Sequence, residues 1–348
     1  MSTPWSDDVF IVGEIGINHN GRIELALEAI ETAKRAGCDA IKFQTFVAAE
    51  FCNPTVEYEY QSQGRRVTEP MIEMFQRCEL PTHHWAECIK HANEIGIDMF
   101  TTPQNTSDLR HFDVGSLPAI KVGSDDLTNM RLLGELSAFG RPMIISSGMA
   151  TISDLARALD ALKWPDSSDI AVLVCTSQYP TPLVDANVSR VKTIASAFPG
   201  VTVGFSDHTV GATAAIAART LGARIFEKHF TTDRNLAGPD QWFSPDEGEL
   251  TEWVASIRDA GVALGNGIVA PSDEERSMAL IARRSIVALH DLSRGHVVRA
   301  EDIGMRRPGG GMSPDNIDEL MGLCLTNDVA AFSQIHLSDF TLAGDDND

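Results

Sequence analysis

VFIVGEI (Val9–Ile15), IELALEAIETAKRAG (Ile23–Gly37) and AIKFQTF (Ala40–Phe46) follow one another near the start of the chain, and they decide the fold. The outer runs are short, nearly continuous in apolar residues and rich in β-branched and aromatic side chains, which predicts strands buried on both faces. The middle run repeats its apolar residues every three or four positions and ends on Gly37, which predicts a helix with a glycine cap. Six more runs of the first kind follow: DMFTTP, AIKVGS, PMIISSG, IAVLVCTS, VTVGFSD and RIFEKHF, the last ending at Phe230. Helix-like stretches separate them, such as HHWAECIKHANEIG, which ends on Gly96. Strand and helix in alternation imply parallel βα units. Eight of them in about 265 residues predict a (β/α)8 TIM barrel. An open doubly wound sheet is the main alternative, but no GxGxxG turn follows the first strand to support it.

The pattern changes near Arg283. NGIVAPSDEERSMA reads as a last helix ending in a polar connector. Beyond it two short β-type runs flank a DLSRGH turn, a Gly-Pro loop follows, and only DNIDELMGL has helical spacing. The expected division is a catalytic barrel over 1–268, a linker over 269–283 and a small β-rich domain over 284–348.

Of 348 residues, 43% are hydrophobic, enough for a large core, and the formal net charge is -21. That charge argues against nucleic acid and against anionic membrane surfaces as partners. Six scattered cysteines without a CxxC pair point to a reduced, cytoplasmic setting. The start, MSTPWSDDVF, lacks the basic and apolar regions of a secretory signal. No apolar run approaches membrane-spanning length. The closing GDDND reads as a solvated tail.

In such a barrel the active site lies at the carboxyl ends of the strands, and all eight ends are polar. The first carries Glu14 and runs into Asn18. The second carries Lys42 and Gln44, the third Thr102, the fourth Lys121 and Ser124, the fifth Ser146. The sixth brings Ser177 and Tyr179, the seventh Ser206, Asp207 and His208, the eighth Glu227 and His229. Residues two apart share a face, so Lys42 with Gln44, Ser206 with His208, and Glu227 with His229 can point inward together. Hydroxyls, an amide and two lysines suit a phosphate and a carboxylate. A lysine inside a strand, as in AIKFQ and again in AIKVG, is costly to bury unless it meets an anion. His208 and His229 end adjacent strands, where two neutral imidazoles suit a divalent ion. Taken singly, each has a plainer explanation: a first-turn residue for His208 with Ser206 or Asp207 capping the helix, a satisfied core histidine for His229, and an ion-paired carboxylate for Glu14. RRPGGG, from pattern alone, reads as a solvated loop.

EIGINHNG, AGCDAIKFQTF, FTTPQ, AIKVGS, IISSGMA, CTSQYPTP, GFSDHT, FEKHF and GPD, in this order, closely resemble the sialic acid synthase family. The likeness runs from about residue 9 to 340, and the end of the chain resembles the antifreeze-like SAF domain, a β-clip fold. The resemblance implies condensation of phosphoenolpyruvate with an N-acylated amino-hexose such as N-acetylmannosamine to make a nonulosonic acid. A 2,4-diacetamido-trideoxyhexose, giving a legionaminate- or pseudaminate-type product, is the alternative. It implies that Lys42, Gln44, Thr102, Lys121, Ser124, Ser146 and Ser206 hold phosphoenolpyruvate, and that His208 and His229 bind Mn²⁺ or Mg²⁺. Glu14 would be the catalytic acid/base, with Asn18, Tyr179 and Asp240 in the sugar site. Arg307 would reach into a partner subunit's barrel to hold the N-acyl group, which implies a domain-swapped homodimer. Ser177 stands where one form of the family has Asn, Gly310 replaces the usual Asn of the RPGNG loop, and VEYEYQSQGRRVTEP (56–70) has no assigned role. Two more distant readings are a pyruvate aldolase forming a Schiff base on Lys42 or Lys121, and a non-enzymatic carbohydrate-binding protein.

Overall fold

The computed structural model describes residues 3–6, 9–167 and 169–341; the acidic Gly344–Asp348 end lies outside them. The chain divides into two compact units, Met1–Gly265 and Asn266–Asp348. In the first, the eight expected strands form one parallel sheet: Phe10–Gly16, Ala40–Thr45, Asp98–Pro103, Ile120–Val122, Met143–Ser146, Ile170–Cys175, Thr202–Ser206 and Ile225–His229. Their order is third, second, first, eighth, seventh, sixth, fifth, fourth. The first strand pairs with both the second and the eighth, so the sheet curls into a barrel. The third and fourth lie side by side without a ladder between them.

The helices behave as their sequences dictate. Ile23–Arg35 turns Leu25, Ala26, Ala29, Ile30 and Ala33 onto the sheet, and Gly37 beyond its end takes φ +84. Trp85–Ile95 ends at Gly96 in the left-handed conformation. Glu247–Leu264 starts from a capping box, in which Asp246 accepts from the Glu249 N–H and Glu249 reaches back. The connection between the third and fourth strands departs from the alternation, because it holds only 3-10 turns, Thr106–His111 and Val114–Ser116. The core joins strand residues such as Ile11, Phe43, Phe100, Ile145 and Phe226 to helix residues such as Ile30, Trp85, Leu133 and Ile257. Asp207 does not cap the next helix. Thr213–Thr220 starts from Ala212 with no side-chain cap, and Asp207 turns outward into the layer beneath the last helix.

The segment 56–70 forms a separate antiparallel hairpin, Glu57–Ser62 with Arg65–Pro70, turning on Gln63 and Gly64, both at positive φ. Glu69 anchors it. Its carboxylate accepts both guanidinium nitrogens of Arg77 at 2.6 Å and the Tyr60 hydroxyl at 2.5 Å. Gln63 also donates to Asn235 O at 2.7 Å, and Gly238 N donates to Ser62 Oγ at 3.1 Å.

The second unit pairs Ser285–Ala288 with Ile303–Arg306 and adds isolated bridges such as Leu292–Val329 around its own core of Ile286, Leu292, Val298, Leu325 and Ile335. The DNIDELMGL run forms only a short helix, Ile317–Leu320, after a 3-10 turn. The stretch read as a polar connector is instead a helix, Asp273–Ala282, opened by a Ser272–Glu275 capping box. Among the described residues no helix is long and apolar enough to cross a membrane.

Gly204 sits inside the seventh strand because its neighbours leave no room. A Cβ there would overlap the Ile225 carbonyl oxygen and Leu173 Cδ2. We expect Gly204→Ala to destabilise the barrel by about 1–3 kcal/mol, measured by urea denaturation. A loss below about 0.5 kcal/mol would show that the seventh and eighth strands can part without penalty.

Candidate active site

The strand ends open into a cavity of about 610 Å³. Every barrel residue singled out from the sequence lines it except Asn18 and Asp207. Arg307 belongs to the second unit, exposed after the strand Ile303–Arg306. Asn18 is buried and serves as a tie: its Nδ2 donates to Phe230 O at 2.8 Å and to Ser244 Oγ at 3.0 Å. With Gln241, which donates to Asn18 O at 2.8 Å, it holds the loop carrying Asp240, Trp242 and Phe243.

Four buried charges form the floor. Lys42 Nζ lies 2.6 Å from Glu14 Oε2 and 3.7 Å from Glu227 Oε2, and donates to Thr102 Oγ1 at 2.8 Å. Lys121 Nζ lies 3.9 Å from Glu227 Oε1 and donates to Ser146 Oγ at 2.8 Å. Ser206 donates to Glu227 at 3.0 Å, and Gln44 Nε2 donates to Glu14 Oε1 at 3.3 Å. The two carboxyls are pushed apart in acidity. Burial drives Glu14 up to about 7 against the pull of Lys42, and the Glu227 charge adds to the rise. Burial would raise Glu227 as well, but Lys121 and Lys42 together hold it down at about 2. Burial lowers Lys121, whereas Glu14 and Glu227 outweigh burial at Lys42 and raise it. Near neutral pH the floor thus holds one carboxylate and one carboxyl that can give or take a proton.

Beside the lysines the backbone comes close. Gly148 N donates to Ser124 Oγ at 3.0 Å. A Cβ on Gly148 would lie 2.6 Å from Ser124 Oγ and closer still to Ser177 Oγ. Glycine here leaves room for the Ser124 hydroxyl, held by the Gly148 amide, and the Ser177 hydroxyl to face one small space, a cradle suited to an oxyanion.

The imidazoles of His208 and His229 have ring centres 5.5 Å apart. His208 Nδ1 meets the Thr176 carbonyl at 2.8 Å, which places a proton on Nδ1 and turns Nε2 to other partners. His229 Nδ1 is buried without a hydrogen bond, and Asp240 Oδ2 lies 4.0 Å from it. Burial, then His208 and Lys42, keep His229 well below the usual histidine range and therefore neutral. A buried orphan nitrogen beside a tautomer-fixed ring fits a pair of ligands for a divalent cation. Among the described residues no group of three or more His, Cys, Asp or Glu side chains completes a protein-only cage, so further ligands would come from substrate or water. Burial raises Asp240 to about 6. Tyr179 packs 4.2 Å from His208 and 5.0 Å from Phe243, ring centre to ring centre.

Three parts of the site were not assigned from the sequence. Glu227 was seen to face inward and was given no role, yet it bridges both lysines. The hairpin contributes Tyr58, Glu59, Tyr60, Gln61 and Arg66 to the wall; its alternating EYEYQS and RRVTEP around a QG turn carried the signal. Trp242 and Phe243 lie on a loop whose course no periodicity reveals.

Known proteins resemble the chain over most of its length. A profile of the NeuB family matches residues 29–269 and one of the SAF domain matches 283–341. The chain is 37% identical to the N,N'-diacetyllegionaminic acid synthase of Legionella pneumophila, covering 92% of each chain. It is 30% identical to a pseudaminic acid synthase of Campylobacter jejuni, over 95% of this chain and 96% of that one. The crystal structure of an N-acetylneuraminic acid (sialic acid) synthetase from Leptospira borgpetersenii superposes with a TM-score of 0.69 at 29% identity, covering 78% of this chain and 90% of that one.

The raised Glu14 acidity has a sign that can be checked. The folded state holds this proton more tightly than the unfolded chain, so its contribution to stability is full below about 4.5 and is lost as pH rises through about 7. We expect Glu14→Gln to flatten the fall in Tm between pH 5 and 8 relative to the parent protein. Parallel curves for the two proteins would mean that Glu14 ionises normally.

Proposed function

The chain belongs to the NeuB family, with a C-terminal SAF domain, and on that premise we propose that it condenses phosphoenolpyruvate with an open-chain N-acylated amino-hexose, releasing phosphate by C–O cleavage. The observation that carries this reading is the floor of the cavity: two buried lysines flanked by hydroxyls, with a pair of histidine rings beside them. Lys42, Lys121, Gln44, Thr102, Ser124, Ser146 and Ser206 hold the phosphate and carboxylate, with Ser177 closing the cradle at Gly148. A divalent cation on His208 and His229 would supply Lewis-acid polarisation of the aldehyde oxygen.

The bonds then balance as follows. Carbon 3 of phosphoenolpyruvate bonds to the aldehyde carbon as the C=O π bond breaks, and the oxygen takes the proton of the Glu14 carboxyl to become a hydroxyl, leaving Glu14 as carboxylate. Water adds at carbon 2, and Glu14 takes its proton; an acidity near 7 suits that exchange. The tetrahedral adduct expels phosphate as the carbon 2–oxygen bond breaks, leaving the 2-keto acid. Tyr179 and Asp240 face the sugar, while Asn18 acts by holding the loop that carries Asp240.

For the sugar, the relatives favour a 2,4-diacetamido-trideoxyhexose over N-acetylmannosamine, since the matches at 37% and 30% are named for legionaminic and pseudaminic acids. The outer cavity supports the same choice: Tyr58, Met74, Phe75, Trp242 and Phe243 offer apolar surface to methyl and acetyl groups. In the second unit, Asp273–Ala282 buries none of its side chains and exposes Met278, Leu280 and Ile281, as an element awaiting a partner does. A domain-swapped homodimer, with Arg307 from the partner completing the sugar site, accounts for this exposure.

Phosphate release from phosphoenolpyruvate across a panel of amino-hexoses tests the reading. The diacetamido sugar should give the highest kcat/KM, and no release with any member would overturn the proposal. With the best sugar, Glu14→Gln should lower kcat by about 10²-fold or more while phosphoenolpyruvate still binds; near-parental turnover would remove Glu14 from the proton transfer.

A further inference from the structure

The strands that bear His208 and His229 carry a second pair of charges on their opposite face. Alternation turns Ser206, His208, Glu227 and His229 inward, and Asp207 and Lys228 outward beneath the helix Glu247–Leu264. Both outward residues are buried, 1% and 4% exposed. Lys228 Nζ lies 3.0 Å from Asp207 Oδ2, donates to Thr209 O at 2.6 Å, and reaches Asp207 O at 3.5 Å. Trp253 Nε1 donates to Asp207 Oδ2 at 2.8 Å, and Asp207 Oδ1 accepts from the Thr209 N–H at 2.8 Å and hydroxyl at 2.7 Å.

The carbonyls on either side of His208 thus converge on one ammonium, and that ammonium belongs to the residue preceding His229. The ladder does not supply this link. The seventh strand pairs with the eighth only as far as Ser206 opposite Glu227, extended by Asp207 N donating to Glu227 O at 2.8 Å. His208 lies beyond the ladder, tied at its own carbonyl by Thr181 N at 2.8 Å. His229 is fixed from the other side, opposite Glu14 of the first strand. A buried ion pair is a poor source of stability, because an apolar pair of similar volume often serves as well. What Lys228 and Asp207 give is geometry.

We propose that Lys228 and Asp207 are positioning residues that set the separation of the His208 and His229 imidazoles and thereby the affinity for a divalent cation. This rests on the reading that these histidines hold such an ion. The test is Mn²⁺ titration, by calorimetry and by electron paramagnetic resonance of the free ion, into chelator-stripped full-length protein. Lys228→Met and Asp207→Asn should each raise the Mn²⁺ Kd about 10-fold or more, with turnover recovering at saturating Mn²⁺. Trp253→Phe, which removes the hydrogen bond to Asp207 while keeping an aromatic ring near the Lys228 ammonium, should shift Kd in the same direction by less, and keeps the test available if a charge variant does not fold. A lowered Tm with a Kd within about twofold of the parent would overturn the positioning role and leave the pair structural. Parent protein that binds no Mn²⁺ would instead remove the metal assignment, a result distinct from failure of the sugar panel.

Discussion

Four charges brought into the end of a barrel constrain everything around them. Taking a single ion out of water costs several kcal/mol, and a pair survives only when geometry and hydrogen bonds compensate. Glu14, Lys42, Lys121 and Glu227 come from the first, second, fourth and eighth strands, so compensation is complete only when the sheet has curled far enough to bring them together. The hydroxyls of Thr102, Ser146 and Ser206 occupy the remaining donors and acceptors. With Glu14 protonated the floor sets two lysines against one carboxylate, and the proton on Glu14 is the part most easily moved.

The barrel was legible because parallel strands covered on both faces must be apolar along their whole length, and eight such runs stand out against amphipathic helices. The inward residues were legible because the side-chain period in a strand is two, so a polar residue near the carboxyl end has only two directions to take. Legibility stopped where a residue's partner is distant in the chain. Asn18 reads like a ligand, and its amide nitrogen turns out to be spent on Phe230 and Ser244, which leaves only Oδ1 without a partner. Asp207 reads like a helix cap, yet Lys228 and Trp253 claim it. The helix Asp273–Ala282 reads as a polar connector although Ser272 and Glu275 form a capping box, because its exposed Met278, Leu280 and Ile281 have no partner in the sequence pattern to make them read as a face.

The hairpin shows how an insertion joins a site without disturbing the scaffold. It leaves the chain after the second strand and returns into the helix Met71–Cys78, so barrel pairing is untouched. A satellite cluster of Ile17, Phe46, Ala48, Met74 and Cys78 gives this region its own apolar base. Glu69 and Arg77 lock it to its own helix, and Gln63 and Ser62 fasten it to the loop beyond the eighth strand. The cavity wall that the hairpin builds is therefore held from both sides, apart from the strands that carry the floor.

The unpaired junction between the third and fourth strands has a mechanical side. Lys42 and Thr102 stand on one bank of it, Lys121 and Ser146 on the other, and no ladder hydrogen bond crosses. Glu227 spans it, reaching both lysines from across the barrel at 3.7 and 3.9 Å. A multi-oxygen anion gripped by both lysines would act as a second rivet over the same gap, so occupancy of the floor and the girth of the barrel become a single variable.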